Sequence, residues 1–590
     1  MMHRRLAGLG LTLAIVTTMS GPARTGAAAS DATDRQFAAI YRREWGWREQ
    51  HVAPDEDDAT PVRPFLPDVS PAAEARQLAY LTDVMAQLDS INPAQLSAEQ
   101  QINYGIYHAQ IGALLAAQKF REYEKPLGAE GGFWTDLAAV ARRPLKNLSE
   151  YRNYLGMLDQ LPRYYTDQIA NMRAGLARGF TPPRITLAGR DRTIAEVADS
   201  QRPEDTAFYA PFRAMPADIP AATQAALRAA ALAAISDKVI PAHRELLAFV
   251  RDIYIPGARE SLAAEALPDG KAYYQSKISE FATVDLSPAQ IHQIGLDAVE
   301  SIKTEMLAVM KEVGFTGDLP AFLDTLRSDK RFIAETPLQL LKEASYIAKQ
   351  FDGKVSLYFG HLPRARFAII PVPPELAPFY PAAKGGPWGF MLNTGNLSSR
   401  PLYALRALTL HESAPGHAFQ IPLAFESLQQ PDFRRKVSIA AFSEGWALYC
   451  ERLGDEMGMY ETPYDRFGML SYQRWRAARL VVDTGLHAMG WSRAQAQDYL
   501  RDNTALSDHE IEFEVDRYIA RPGQALAYYL GERAIWQARA KAEQALGAKF
   551  NIRAFHDTIL ALSAAPVPVI AARIDRFIAE GGKGPFPAEE

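Results

Sequence analysis

The segment His411-Glu412-Ser413-Ala414-Pro415-Gly416-His417 contains the side chains best suited to hold a metal ion and to activate water. Two imidazoles can bind zinc, and a carboxylate beside them can take a proton from a water molecule that the metal has acidified to a pKa of about 7. The same carboxylate can return that proton to a leaving amine. The pattern therefore predicts His411 and His417 as metal ligands and Glu412 as the general base.

The spacing of the two histidines departs from the familiar zinc signature, in which they lie four residues apart on one face of a helix. At about 100° per residue, a separation of six would place them about 120° apart on a straight helix. Pro415 has no N–H to donate, and Gly416 permits backbone angles that other residues resist. We therefore expect a kink or bulge that turns His417 towards His411. The alternative is a core histidine followed by an ordinary helix end.

A catalytic zinc needs three protein ligands and one open position, so two histidines call for a carboxylate. Glu444 and Glu451 follow downstream, seven residues apart and hence on the same face of a helix. We predict Glu444 as the third ligand and Glu451 as a partner that orients a histidine or Glu444 itself. Two solvated surface glutamates are the alternative, which fits Glu444 poorly because Phe442 and Trp446 flank it.

Arg479, Asp483 and His487 are spaced four residues apart, so an ion-pair ladder can run along one helix face. Such a ladder could orient a catalytic histidine, which makes His487 a candidate catalytic residue. A purely structural ladder is the alternative.

Tyr518 and Gln524 lie around a Pro-Gly turn. A tyrosine hydroxyl can donate to a developing oxyanion without a change of charge, so both residues are candidates for stabilising the tetrahedral intermediate. A packed, structural Tyr518 is the alternative.

Two short apolar runs, 367–372 and 388–393, have the composition of strands, and a proline-rich connection separates them. We expect an edge strand beside a cleft, where a peptide could add by backbone hydrogen bonds. Asn393 and Tyr380 would then line the substrate groove. A simple connecting hairpin is the alternative.

Most of the remaining chain has the apolar spacing of amphipathic helices, as in 72–88, 221–234 and 289–313. Ser287-Pro288 has the form of a helix start, and Ser492 with Gln495 resembles a capping box. We therefore predict a mainly α fold, that is, a large helical protein with a small β element beside the metal-binding helix.

Composition excludes several classes of protein. The 590 residues are 48% hydrophobic and 23% charged, which is typical of globular chains, and the net charge of −5 comes without a basic stripe. Nucleic acid is therefore not an expected partner. The single cysteine, Cys450, excludes an internal disulfide and a cysteine-rich metal site. Because it lies in an apolar helical segment, we expect a buried, inert thiol.

Residues 1–29 have a positive start, a short apolar run and a small-residue cleavage site, which together predict a secretory signal peptide. The alternative, a membrane anchor, needs a run of about 20 apolar residues. We expect a periplasmic or secreted protein without stable membrane insertion, and no cysteine follows the predicted cut that could be lipidated. A turn at 268–270 predicts a helical N-terminal region, 30–270, and a catalytic region, 271–590.

The motif His-Glu-x-x-Pro-Gly-His, followed by Glu-Gly-Trp-Ala-x-Tyr-x-Glu, resembles the bacterial domain-of-unknown-function family eight-eight-five. The resemblance implies a gluzincin-like zinc metallopeptidase, mostly helical and often exported. It extends over Leu267–Gly270 with Tyr273 and Tyr274, Leu286–His292, Phe379–Pro381, Asn393, Gln420, Arg517-Tyr518 and Pro522–Ala525.

The residues and the resemblance together predict a peptidase that binds one zinc ion and takes short peptides as substrate. One alternative is a zinc hydrolase of another amide or ester, and a second is a metal-binding or binding protein without catalysis. Glu412 argues against the second, because a structural zinc has four ligands and no adjacent base. The sequence leaves the cleavage position, the side-chain preference and the oligomeric state open.

Overall fold

The computed structural model of the protein describes residues 23–51, 62–128, 131–374, 377, 380–387 and 389–586. These residues form a largely helical molecule with one small sheet, which confirms the predicted fold class. Residues 1–22 of the predicted signal peptide lie outside the described part. Among the described helices, none is both long and apolar enough to cross a bilayer.

The N-terminal part of the chain is made of helices, three of which follow one another without a loop through π-helical turns at 235–239 and 250–254. Their bounds are α1 (Ala23–His51), α2 (Pro71–Asp89), α3 (Ala98–Phe120), α4 (Phe133–Arg142), α5 (Leu148–Leu158), α6 (Leu161–Ala177), α7 (Arg192–Ala198), α8 (Ala210–Arg213), α9 (Ala221–Ala234), α10 (Ile240–Phe249), α11 (Ile255–Gly257) and α12 (Gly270–Phe281).

The C-terminal part contains the small sheet, with helices before and after it in the sequence. Its helices before the sheet are α13 (Pro288–Glu312), α14 (Leu319–Ser328), α15 (Pro337–Asp352) and α16 (Val355–Tyr358). After the sheet follow α17 (Leu402–Glu412), α18 (His417–Glu426), α19 (Asp432–Arg435), α20 (Ala440–Glu456), α21 (Pro463–Ala488), α22 (Arg493–Asn503), α23 (Asp508–Ala520), α24 (Ala527–Leu546), α25 (Ile552–Leu560) and α26 (Val567–Ala579).

Local signals in the sequence set several helix starts. Ser287 caps α13, and its hydroxyl accepts from the backbone N–H of Gln290 while the Gln290 side chain accepts from the backbone of Ser287. Ser492 and Gln495 form the same reciprocal pair at the start of α22. Each pair satisfies backbone donors that the first turn leaves free. Both predicted starts are confirmed.

The sheet has three short strands, β1 (Ala368–Pro371), β2 (Ala383–Gly385) and β3 (Gly389–Leu392), in the order β1-β3-β2. Both predicted strands form, although Trp388 lies outside the described residues. The hairpin interpretation of these two runs is wrong, because β1 pairs with β3 in parallel. The antiparallel partner of β3 is β2, which the sequence analysis missed. Within the described residues β2 is an edge strand.

The hydrophobic cores do not divide where the predicted boundary near residue 270 would separate them. The largest core joins α1–α3 to the sheet, to α17–α20 and to α24–α26. A second core lies wholly within residues 62–258. A third packs α13 and α14 against α17 and α21–α23. The first three helices therefore pack with the C-terminal part, whereas the second core is built from residues 62–69 and 127–258 alone.

Helices α20 and α24 pack at backbone distance through two glycines. A Cβ added at Gly531 would lie 2.0 Å from the carbonyl oxygen of Ala441, and one added at Gly445 would lie 2.5 Å from the carbonyl carbon of Gly531. Backbone atoms cannot give way as the end of a flexible side chain can. The two helices are therefore held at a separation that only glycine allows.

We expect Gly531→Ala to lower the free energy of unfolding by at least about 1–3 kcal/mol, because the methyl group would push α24 from α20. Urea denaturation measures the change. The control is Gly46→Ala in α1, where an added Cβ meets nothing within 4 Å and where alanine should stabilise the helix by about 0.5–1 kcal/mol. Equal stability of Gly531→Ala and the wild type would contradict the prediction.

Candidate metal centre

The two histidines of the motif lie on either side of a break between two helices. Helix α17 ends at Glu412 and α18 begins at His417. Across the break, the N–H of Gly416 donates to the carbonyl of Leu410, six residues back, and the N–H of Ala418 donates to that of Ser413, five residues back. A regular helix bonds four residues back, so the extra residues are looped out and His417 is returned to the face of His411. The predicted break is confirmed.

Gly416 leaves no room for a side chain. At its φ of −74° and ψ of −130°, an added Cβ would lie only 1.8 Å from the carbonyl oxygen of His411. The constraint is therefore a close approach of two backbone segments. From the other side, the indole N–H of Trp446 donates to the carbonyl of Pro415 at 2.9 Å, which ties the break to α20.

The break and α20 bring three side chains together. Ring nitrogens of His411 and His417 and a carboxylate oxygen of Glu444 lie within 4.8 Å of one another. Oε2 of Glu444 is 3.6 Å from Nε2 of His411 and 3.5 Å from Nε2 of His417. The two rings are 4.9 Å apart between centroids and nearly perpendicular, at 86°.

These separations fit a shared ion. Three ligand atoms about 2.1 Å from one ion, at tetrahedral angles, lie about 3.4 Å from each other. Separations of 3.5 and 3.6 Å are near that value and longer than a direct hydrogen bond between the same atoms. The donor set of two imidazoles and one carboxylate is also one that zinc accepts. The three residues could therefore hold a metal ion.

Glu451 lies two helical turns beyond Glu444 on α20, behind the candidate site. Its Oε1 is 2.7 Å from Nδ1 of His411, and its side chain is fully buried. Because Nδ1 is engaged by this carboxylate, Nε2 of His411 is the nitrogen that faces Glu444 and His417. The structure thus places Glu451 against a histidine, as the sequence analysis expected, in the position of an orienting partner.

Glu412 contacts the edge strand. The backbone N–H of Gly385, in β2, donates to its carboxylate, and an added Cβ at Gly385 would lie 2.2 Å from the Glu412 carbonyl oxygen. The strand can approach this closely only because residue 385 has no side chain. Glu412 lines the same cavity as His411, His417 and Glu444.

Neighbouring charged groups shift the pKa values of His411 and Glu444. Burial alone would lower the pKa of His411, but the carboxylates of Glu444 and Glu451 outweigh it and raise this pKa to about 9. Burial would likewise raise the pKa of Glu444, but the two histidines hold it well below its usual range. The carboxylate of Glu444 is therefore ionised at neutral pH, as a metal ligand must be.

The predicted ladder of Arg479, Asp483 and His487 does not form. Arg479 pairs with Glu514 at 3.1 Å, and Asp483 accepts from the hydroxyl of Tyr274 and from a backbone N–H. The two nitrogens of His487 contact the backbone N of Ala264 and the backbone O of Tyr518. Burial lowers the pKa of His487 to about 3. The structure therefore does not bring His487 to the cavity, where a catalytic role would need it.

Tyr518 and Gln524 lie behind the cavity wall rather than on it. The Tyr518 hydroxyl accepts from Nε1 of Trp475 at 3.1 Å and from Nε of Arg479 at 2.8 Å. The side-chain oxygen of Gln524 accepts from Arg517 at 3.0 Å. Neither residue lines the cavity. They support arginines that do, so the oxyanion role predicted for them is not the one that their contacts provide.

Of the two residues predicted to line the groove, Asn393 and Tyr380, only Tyr380 does so. Asn393 is buried, and its amide donates to the carbonyls of Ala377 and Tyr380 while its oxygen accepts from the N–H of Gly395. It shapes the loop before β2 and does not line the groove, contrary to expectation. Tyr380 does line the cavity, as predicted.

The cavity has a volume of about 930 Å³, and the N-terminal region supplies one of its walls through the segments 62–67 and 133–143. A second wall, missed in the sequence, comes from one face of α21 and consists of Tyr472, Trp475, Arg476 and Arg479. Their spacing of three, one and three residues is typical of one helix face, so the sequence could have predicted that these four side chains lie together. Tyr528 and Arg517 complete this side.

The chain belongs to the family described as "Bacterial protein of unknown function (DUF885)", whose model matches residues 60–574. This confirms the family resemblance. No curated protein matches the chain.

Two solved structures share the fold. A "putative lipoprotein" from Colwellia psychrerythraea is 25% identical with a TM-score of 0.82, over 94% of this chain and 99% of that one. A "putative lipoprotein of unknown function" from Shewanella oneidensis is 18% identical with a TM-score of 0.62, over 93% of this chain and 98% of that one.

We expect Trp446→Phe to lower the free energy of unfolding by about 1–3 kcal/mol, because the buried carbonyl of Pro415 would lose its donor. Urea denaturation measures the loss. The control is Trp47→Phe in α1, where the indole is half-buried and stacks on His51. A Trp446→Phe variant within about 0.5 kcal/mol of the wild type would show that the indole does not hold the break.

Proposed function

We propose that the protein is an exported zinc-dependent peptidase that hydrolyses short peptides. The observation that carries the proposal is the spacing of 3.5–3.6 Å between the donor atoms of His411, His417 and Glu444, with the carboxylate of Glu412 on the same cavity. Three protein ligands leave a fourth position open, which distinguishes catalytic zinc sites from structural ones.

Each residue of the centre has a distinct role in this proposal. His411, His417 and Glu444 would hold the ion. When bound, zinc supplies positive charge that acidifies water and polarises a carbonyl group. Glu412 accepts the proton of the attacking water and returns it to the nitrogen of the leaving amine. The N–H of Gly385 orients the Glu412 carboxylate for this transfer.

Glu451 is a positioning residue. Its contact with Nδ1 of His411 fixes the ring and its tautomer, so that Nε2 would be free to offer its lone pair to an ion. Such carboxylate partners typically change metal affinity or activity by about 10- to 100-fold when they are removed.

The substrate would bind along the edge strand. Strand β2 pairs with β3 on one side, and its residues Ala383–Gly385 line the cavity beside Glu412. An extended peptide can add to such an edge through backbone hydrogen bonds, which recognise the main chain and not a particular side chain. The cavity volume of about 930 Å³ is within the usual range of about 300–1,000 Å³ for ligand sites, which favours short peptides.

Export is supported by the predicted signal peptide at 1–29 and by the solved relatives, which are described as lipoproteins. A hydrolase of another amide or ester would use the same centre, and a panel of substrates separates the two. A binding protein without catalysis would have no use for a carboxylate beside the ligands.

We expect the purified protein to bind one zinc ion per chain, measured by mass spectrometry of the metal after dialysis. His417→Ala and Glu444→Ala should each lose the ion, because two protein ligands hold it too weakly. The control is His108→Ala, a half-buried histidine remote from the centre that contacts Asp89. Stoichiometric zinc in His417→Ala would remove His417 from the set of ligands.

We expect Glu412→Gln to retain zinc and to lower kcat by at least about 100-fold, since an amide cannot accept the proton of water. The assay is digestion of a mixture of short peptides, with products identified by mass spectrometry. The control is Glu343→Gln, an exposed position in α15. Undiminished hydrolysis by Glu412→Gln would show that another group is the base.

A further inference from the structure

The second wall of the cavity contains buried positive charge that the proposed peptidase chemistry does not use. Arg476 and Arg479, on α21, are 5% and 3% exposed, and Arg517, on α23, lies beside them. All three line the cavity that also contains the candidate metal centre. We refer to these three residues as the arginine wall.

The three guanidinium groups of the arginine wall outnumber the carboxylates that pair with them. Glu514 accepts from both Arg479, at 3.1 Å, and Arg517, at 2.9 Å. Burial would raise the pKa of Glu514, but the two guanidinium groups lower it to about 2, so it contributes a single full negative charge. The carboxylate nearest to Arg476 is Glu451, at 3.7 Å, and that group already contacts His411.

Several donors of the wall have no hydrogen-bond partner. They are Nε and Nη1 of Arg476, Nη1 of Arg479 and Nε of Arg517, all of them buried. An unpaired buried charge costs several kcal/mol, and buried donors without partners are rare in native structures. An anion bound in the cavity, which these three residues line, would supply the missing negative charge.

Aromatic rings hold the guanidinium planes in place. Arg476 lies over the rings of Tyr472 and Trp475, at 4.6 and 4.3 Å, and Arg479 lies over Trp475 and Tyr528, at 4.2 and 4.4 Å. Stacking of this kind fixes the orientation of the fork of donors before a ligand arrives, which lowers the entropic cost of binding.

We infer that the arginine wall is a subsite for a carboxylate group of the substrate. Planar guanidinium groups bind carboxylates through two parallel hydrogen bonds, which explains why arginine and not lysine occurs here. The sequence of contacts from Arg476 to Glu451 to His411, at 3.7 and 2.7 Å, places this subsite next to the candidate metal centre. The recognised carboxylate is therefore close to the bond that is cleaved.

The inference rests on the proposed function and specifies its substrate class. The carboxylate belongs either to the free C-terminus of a short peptide or to an acidic side chain near the cleaved bond. In the first case the enzyme removes the C-terminal residue. The peptide C–N bond breaks, the hydroxyl of water goes to the acyl carbon, and a proton goes to the amine nitrogen.

The test measures binding separately from turnover. The zinc-loaded Glu412→Gln variant is titrated by calorimetry with Ala-Ala-Phe and with its C-terminal amide, and then with Ala-Glu-Phe-amide and Ala-Gln-Phe-amide. We expect the acid of one pair to bind at least 10-fold more tightly than its neutral partner. The pair that shows the preference identifies the source of the carboxylate.

Arg476→Gln, added to Glu412→Gln, should abolish the preference, while the control Arg466→Gln, on the same helix but paired with Glu312 at the surface, should keep it. A preference caused by direct binding of the acid to zinc would survive Arg476→Gln and overturn the inference. Equal binding within both pairs would also overturn it, and that comparison does not depend on the folding of the arginine variant.

Hydrolysis by the wild type distinguishes this failure from failure of the proposed function. If acid and amide are cleaved equally well, the peptidase proposal stands and the subsite is wrong. If the acid binds preferentially through Arg476 but no peptide is cleaved, the subsite stands and the peptidase proposal is wrong.

Discussion

The close approach between Gly416 and the carbonyl of His411 is the constraint on which the site depends. It lets the chain loop out between two helices and return, so that imidazoles six residues apart share one face. Two hydrogen bonds across the loop pair carbonyls at the end of α17 with N–H groups at the start of α18, because Gly416 donates to Leu410 and Ala418 donates to Ser413. The indole of Trp446 then fastens the loop to the helix that carries Glu444.

That helix is itself fixed by backbone packing. Helix α20 lies against α24 through Gly445 and Gly531, and α17 meets α21 where Gly468 leaves no room for a side chain beside Tyr403. Donor atoms must be placed to within a fraction of an ångström for a metal site, and rigid helices in close contact achieve this better than loops. The small sheet adds the remaining element, since β2 reaches Glu412 only because residue 385 is glycine.

The sequence predicted the parts that depend on local chemistry. Helical periodicity and caps such as Ser287 identified the fold class, and the breaks imposed by Pro415 and Gly416 predicted the geometry of the two histidines. The spacing of Glu444 and Glu451 within one helix placed the first at the candidate site and the second behind it. Each of these inferences needed only neighbours within a few turns.

The failures concern position in space. Spacing put Arg479 and His487 on one face of a helix, but it could not show that only Arg479 lines the cavity and that His487 contacts the backbone of Ala264 and Tyr518. Tyr518 lies behind Arg479, which lines the cavity, so its hydroxyl does not reach the position that the predicted oxyanion role needs. Strand β2 is three residues long and contains two small residues and a lysine, so it has no strand-like composition.

The shared core of the outer helices has a consequence for how the chain folds. Phe37 in α1 and Phe577 in α26 are members of one hydrophobic cluster, so segments far apart in the sequence complete the same interior. Bringing such distant segments together costs chain entropy before the apolar contacts can repay it. We therefore expect the interior that these helices share to form late in folding.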